Sequence, residues 1–269
     1  MIQNMIDLDM LKLQAVKTGL GIKYLSKEER ISILLMQLNE ILPDEVVLKG
    51  GTAFNRGYLH SMQRGRFSED IDLDYCKHKS LDDKIKHIKT VMKKINEFDV
   101  SPPRILHRTL RFDCGYVNQL DEKDRVQIEF YLSEKKPATA PQKILLQSQY
   151  IPVSATLFSV YSLEDLLAQK LIALFNRKEG KDIYDVFYGL DLTFKQKVLQ
   201  DALSKLFIHY HINLEYQDFI QELVKKIDEM HLNSSYIENA TNHFIPRNLR
   251  PDWAVFIRML KEKIIHKLL

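Results

Sequence analysis

Apolar residues recur early in the chain at spacings of three and four. Met5, Leu8, Leu11, Leu13, Val16 and Leu20 form one series, and Ile31, Leu34, Leu35, Leu38 and Leu42 a second. That period predicts two amphipathic helices. Ser26-Lys-Glu-Glu29 reads as a capping box opening the second helix, and Pro43 closes it. The period then shortens. Val46-Val47-Leu48 is a brief apolar run ending in two glycines, and Asp70-Ile71-Asp72-Leu73-Asp74 alternates acid with apolar. Alternation at period two puts Asp70, Asp72 and Asp74 on one face of a strand, with Ile71 and Leu73 on the other. A helix is expected to begin near Thr52. Another is expected over 80–98, where Leu81, Ile85, Ile88, Val91, Met92 and Ile95 share a face.

Residues 105–117 and 125–132 read as two strands of a hairpin around the polar loop 118–123. Residues 135–149 are polar and proline-punctuated, an expected irregular segment. Tyr150–Val153 reads as a short strand that Pro152 confines to an edge. From Ser162 the helical period persists to the end, with Leu163, Leu166, Leu167, Leu171 and Leu174 lining the first of these helices. The expected architecture is α+β. A mixed β-sheet flanked by helices occupies residues 1–160, and a C-terminal helical domain occupies 161–269.

Composition narrows the class. Of 269 residues 45% are hydrophobic and 28% charged, an ordinary globular balance, and no apolar run reaches membrane-spanning length. The N-terminus lacks the basic start of a signal peptide, and Cys76 and Cys114 have neither metal-ligand nor disulfide-framework spacing. A reducing, cytoplasmic setting without membrane contact is the expectation. The formal net charge of +3 is too small to imply nucleic-acid binding by itself. Basic residues do cluster, at Arg56, Arg64 and Arg66, at Lys84 to Lys94, at Arg104, Arg108 and Arg111, and from Lys261 to Lys267. A solvated helix face accounts for Lys84 to Lys94.

The candidate chemistry lies between Lys49 and Asp74. Neighbouring carboxylates repel unless water or a cation separates them. Hard divalent cations take such oxygen ligands and bridge to substrate phosphates. Gly50, Gly51 and Thr52 offer backbone that a phosphate can approach, with a hydroxyl beside it. A lone glycine pair is commonly a plain turn and a lone Asp-x-Asp a solvated edge, so the specificity lies in their combination. Lys170 and Arg177, seven residues apart on a predicted helix, form a cationic pair able to neutralise a triphosphate. Asp182 and Asp185 fit either that site or the cap and first turn of a helix.

Lys-Gly-Gly-Thr followed by Arg-Phe-Ser-Glu-Asp-Ile-Asp-Leu resembles the AbiEii/AbiGii toxin branch of the nucleotidyltransferase superfamily. Leu-Ala-Gln-Lys-Leu-Ile-Ala-Leu-Phe-Asn-Arg with Lys-Asp-Ile-Tyr-Asp-Val-Phe is similar to the second motif block of the same branch. Two departures are visible: a long spacer between Gly51 and Asp70, and Lys181 where arginine is common. The resemblance implies a toxin of a toxin–antitoxin system that transfers a nucleoside monophosphate from an NTP. It implies Mg²⁺, with Mn²⁺ also compatible, held by Asp70, Asp72 and Glu129. Gly50, Gly51, Thr52, Ser68, Lys170, Arg177 and Asp182 would bind the nucleotide. Asp70, Asp72, Glu129, Lys170 and Asp185 would be catalytic, with the general base open between Glu129 and Asp185. The 3′ end of tRNA is the first acceptor expected and an antitoxin protein a partner. A protein or small-molecule hydroxyl is the alternative acceptor, and a non-catalytic nucleotide- or RNA-binding module the alternative class.

Overall fold

The computed structural model describes residues 6–77, 80–133 and 136–269. The chain divides into two compact units, Met1–Glu134 with Pro141–Val160, and Lys135–Ala140 with Tyr161–Leu269.

The first unit is built on a mixed sheet. Its strands are β1 (Val46–Lys49), β2 (Asp70–Tyr75), β3 (Asp99–Val100), β4 (Arg104–Leu106), β5 (Thr109–Val117), β6 (Lys123–Tyr131), β7 (Gln142–Leu146) and β8 (Thr156–Val160). They run in the order β3-β5-β6-β2-β1-β8-β7, with β4 pairing β5. β1 lies antiparallel to β2, while β2 with β6 and β1 with β8 are parallel. The pleat separates the residues as their alternation requires. Ile71, Leu73, Leu110, Phe112, Cys114, Val126, Ile128 and Phe130 are buried on one face. Asp70, Asp72, Gln127, Glu129, Arg111 and Asp113 occupy the other, half-exposed.

Two helices precede β1, α1 (Leu8–Thr18) and α2 (Ile22–Ile41). α2 packs on β2, β6 and β8 and buries Leu25, Ile31, Leu34, Leu35 and Leu38. A four-residue helical turn, α3 (Gly50–Ala53), follows β1. The next helix, α4 (Leu81–Met92), is capped by the Ser80 hydroxyl, which accepts from the Asp83 amide at 3.1 Å.

Several expectations are corrected here. The capping box at Ser26 is not a helix start, because α2 begins at Ile22. Ser26 instead donates to Gln119 Oε1 at 2.5 Å, and Glu29 accepts from the Gln119 amide at 2.7 Å and from the Ile6 amide at 2.6 Å. The helix after Ser80 ends at Met92 rather than residue 98, where Asn96 N donates to Gln37 Oε1 and Glu97 turns left-handed. The strand expected over 105–117 breaks at His107, also left-handed, into β4 and β5. Strand β7 lies in the segment expected to be irregular, and the strand expected at Tyr150–Val153 comes later, as β8.

The second unit is helical: α5 (Leu163–Asn176), α6 (Gly180–Gly189), α7 (Gln196–Tyr210), α8 (Tyr216–His231), α9 (Ser234–Thr241) and α10 (Trp253–Leu268). Ser162 caps α5, its hydroxyl accepting from the Asp165 amide at 3.1 Å. α10 packs on α8, α9 and α6 and buries Trp253, Phe256, Ile257, Leu260, Ile264 and Leu268. Among the described residues, no helix is long and apolar enough to cross a membrane.

Candidate active site

The glycine pair makes a corner between β1 and a continuous helical run. Gly50 holds φ at +69°, a conformation that side chains with a Cβ disfavour. The chain then winds through α3, a π-helical segment (Phe54–Tyr58) and a 3₁₀ turn (Leu59–Met62) before Gln63 reverses it in the left-handed region. The long spacer is thus wound up in helix. A Cβ on Gly50 would lie 2.0 Å from Asp72 Oδ2, and one on Gly51 would lie 2.6 Å from Ser68 Oγ. The corner therefore packs its bare backbone against a carboxylate on one side and a hydroxyl on the other.

Thr52 and Asn55 fix that corner. The Thr52 hydroxyl donates to the Asp70 carbonyl at 2.5 Å, tying the turn to the start of β2. Thr52 is fully buried, and its hydroxyl positions the corner through that carbonyl. Asn55 donates to the Gly51 carbonyl at 2.8 Å and accepts from the Arg66 amide at 2.7 Å. Arg56 is also internal, donating to Ser32 Oγ and to the Glu28 carbonyl and pairing with Glu28 Oε2 at 2.9 Å. No reading of the sequence singled out Asn55. Its position one helical turn after Gly51 is the only signal it carries.

Strand register sets the carboxylates in a row. Asp70 pairs with Gln127, Asp72 with Glu129, and Asp74 with Tyr131. Their fates differ. Asp74 is buried against Lys49 Nζ at 2.5 Å, and that ammonium also lies 4.4 Å from the Tyr131 ring centroid. Glu129 lies beside Asp72 but meets Arg111 Nη2 at 2.5 Å from the other neighbouring strand. Among the described residues, no three His, Cys, Asp or Glu side chains are arranged as a metal cage. Asp70 and Asp72, on the same face of β2, nonetheless offer the oxygen donors that a hard divalent cation takes. Mg²⁺ is held by one or two carboxylates completed by substrate phosphates and water, and the glycine corner touching Asp72 is where such phosphates would sit.

In the second unit Lys170 lies between two fully buried aspartates, 3.2 Å from Asp182 and 2.7 Å from Asp185. Arg177, just past the end of α5, grips Asp182 with two nitrogens at 2.7 and 3.2 Å. Lys170 and Arg177 thus join α5 to α6 through Asp182 and Asp185, with Glu179 3.8 Å from Arg177 as a third carboxylate. The helix-cap reading of Asp182 is corrected, because Glu179 holds the cap position and Asp182 receives Arg177 and Lys170.

Some members of the basic clusters are committed to the fold, while Lys86, Lys89, Lys93, Lys94, Arg104 and Arg108 are exposed. Lys84 is buried and donates to the Leu132 carbonyl at 2.8 Å, which overturns the solvated-face reading for that residue. Lys261 pairs with Asp228, and Lys263 with Asp191 and the Phe187 carbonyl. Burial holds the Lys263 ammonium below its usual pKa.

Residues 33–266 match the family model described as nucleotidyl transferase AbiEii toxin, type IV toxin–antitoxin system. Among solved structures, MenT4, a nucleotidyltransferase toxin of Mycobacterium tuberculosis, is similar with a TM-score of 0.64 and 15% identity, over 97% of this chain and 90% of that one. JHP933 from Helicobacter pylori is similar with a TM-score of 0.55 and 16% identity, over 92% and 95% of the two chains. No curated protein matches the chain by sequence.

Proposed function

The chain belongs to the AbiEii family of nucleotidyl transferase toxins of type IV toxin–antitoxin systems, and from that premise we propose Mg²⁺-dependent transfer of a nucleoside monophosphate from an NTP to the 3′ end of an RNA, tRNA first. The observation that carries this reading is the contact between corner and carboxylate. Gly50 backbone lies against Asp72, and Gly51 against Ser68. A polyphosphate accepted by that corner is brought directly beside the metal-binding carboxylates.

Gly50 and Gly51 would line the polyphosphate with backbone, and the Ser68 hydroxyl would donate to it. Asp70 and Asp72 would hold Mg²⁺, which supplies charge neutralisation to the polyphosphate when bound. The acceptor hydroxyl oxygen forms a bond to the α-phosphorus, and the bond from that phosphorus to the β-bridging oxygen breaks. Pyrophosphate departs and the hydroxyl proton passes to a base. Glu129 and Asp185 are the two candidates for that base: Glu129 is 26% exposed on the open sheet face and paired with Arg111, and Asp185 is fully buried against Lys170. Lys170 and Arg177 are assigned to nucleotide binding on the family motif. The family's type IV system supplies the reason to look for a cognate antitoxin.

The test is incorporation of radiolabelled nucleotide into total cellular RNA, with each of the four NTPs and Mg²⁺. Label on tRNA is expected, and it should vanish in Asp72→Asn while the fold persists. Label on protein and none on RNA would replace the acceptor. An Asp72→Asn enzyme of full activity would overturn the metal site.

A further inference from the structure

We propose that the cavity on the β5–β6 side of Asp70 is the acceptor subsite and receives the terminal nucleoside of the RNA 3′ end. This rests on the nucleotidyl-transfer reading above. The cavity measures about 730 Å³, and Asp70, Asp113, Gly115, Arg125 and Gln127 are among its lining residues. That volume is right for one nucleoside with its phosphate.

Direction of approach selects the acceptor over the donor. The glycine corner follows β1, on one side of β2, and it meets Asp72 from that side. β6 and then β5 lie on the opposite side of β2, where Asp70, Gln127 and Asp113 stand in register across the three strands. Phosphoryl transfer places the attacking and leaving oxygens in line on opposite sides of the phosphorus. With the leaving pyrophosphate at the glycine corner, the attacking hydroxyl enters from the β6 side, through this cavity.

The lining is built to hold a polar ligand. Asp113 accepts from Arg104 at 2.7 Å and from the Gln127 amide at 3.2 Å, with Arg125 Nε at 3.5 Å. It therefore positions one amide and two guanidinium groups. An amide fixed by one of its two N–H bonds keeps a second N–H and a carbonyl with which to meet a base edge or ribose hydroxyl. Gly115 lies on the same face as Asp113, directly opposite Arg125, with Asp99 of β3 on its other side, where a Cβ would come within 3.3 Å of the Asp99 carbonyl. Arg125, largely exposed beside Asp113, would supply the cation for the phosphate preceding the terminal nucleoside.

Steady-state labelling of purified tRNA at varied tRNA and NTP concentrations tests the assignment in Gln127→Leu and Arg125→Ala. NTP affinity is measured separately by calorimetry without RNA, and folding by thermal melting. Both variants should raise the KM for tRNA about tenfold, the scale of a lost base or phosphate contact. Both should leave NTP affinity within twofold of the parent. Arg125 is a surface side chain, so at least that variant should melt as the parent does. Weakened NTP binding with an unchanged tRNA KM would give the cavity to the donor and overturn the proposal. An unchanged tRNA KM in both variants would overturn it as well. A parent protein that labels no RNA would instead overturn the reading of function beneath it.

Discussion

The Asp72 carboxylate occupies the space that a methyl group on Gly50 would need, a Cβ there lying 2.0 Å from Asp72 Oδ2. Gly50→Ala meets two penalties. The left-handed φ of +69° costs alanine about 1–2 kcal/mol. The clash also moves the Asp72 carboxylate by an ångström or more. We expect nucleotide transfer to fall at least about a hundredfold, the cost of a misplacement on that scale. Stability should fall by only about 1–3 kcal/mol. Single-turnover kinetics and chemical denaturation separate the two effects. A fully active Gly50→Ala would remove the corner from the mechanism.

The two cysteines should report exposed and buried positions of the first unit. Cys76 is exposed and Cys114 is buried among the core residues of β5. Burial, then the neighbouring Asp113 charge, pushes the Cys114 thiol up to about 12 from its ordinary value of 9.0. At pH 8 iodoacetamide should therefore modify Cys76 alone, with Cys114 reacting only after denaturation. The same shift has a sign for stability. From about pH 9 toward 12 the unfolded thiol ionises while the folded one does not, so this group's contribution to stability falls as pH rises. Mass spectrometry of the labelled peptides, native and denatured, checks the reactivity.

The carboxylate row and glycine corner were legible because both depend on local periodicity. Acid and apolar residues alternating from Asp70 to Asp74 can place their carboxylates on one face only, and two adjacent glycines after an apolar run mark a backbone turn. What each carboxylate touches was not legible. Lys49 claims Asp74 across an antiparallel register, and Arg111 claims Glu129 from β5; both pairings follow from sheet order. Local pattern also misled where tertiary contacts took over. Ser26 and Glu29 spell a helix cap, yet both reach Gln119, ninety or more residues away. β7 was hidden because four of its five residues lie outside the buried core, which left no alternation to read.

Lys49 and Asp74 should be coupled. The Asp74 side chain is 3% exposed and Lys49 supplies its ammonium at 2.5 Å. Lys49→Met leaves that carboxylate buried without the ammonium, at an expected cost of about 3 kcal/mol. Asp74→Asn on top of Lys49→Met removes the charge left behind and should recover at least about 1 kcal/mol, a coupling typical of side chains in one network. Denaturant unfolding of the two single variants and the double variant measures this. Additive losses would show that the pair does not act as a unit. Because Lys49 precedes Gly50, all three variants should also depress transfer through the corner's position.

Lys170 carries a structural and a functional expectation that can be told apart. It stands between Asp182 and Asp185, both fully buried. Lys170→Met removes the cation from that position, and breaking a buried ion pair from one side costs about 3–5 kcal/mol. Melting of the variant should therefore move markedly downward. Arg177, 53% exposed and still gripping Asp182, should compensate only in part. Calorimetry of NTP binding well below the variant's transition then reads the second expectation. Affinity reduced about tenfold or more, as for a lost charge-assisted contact, supports Lys170 as a nucleotide ligand. Affinity unchanged in a destabilised variant would make the network a strut between α5 and α6 and leave phosphate binding to the first unit.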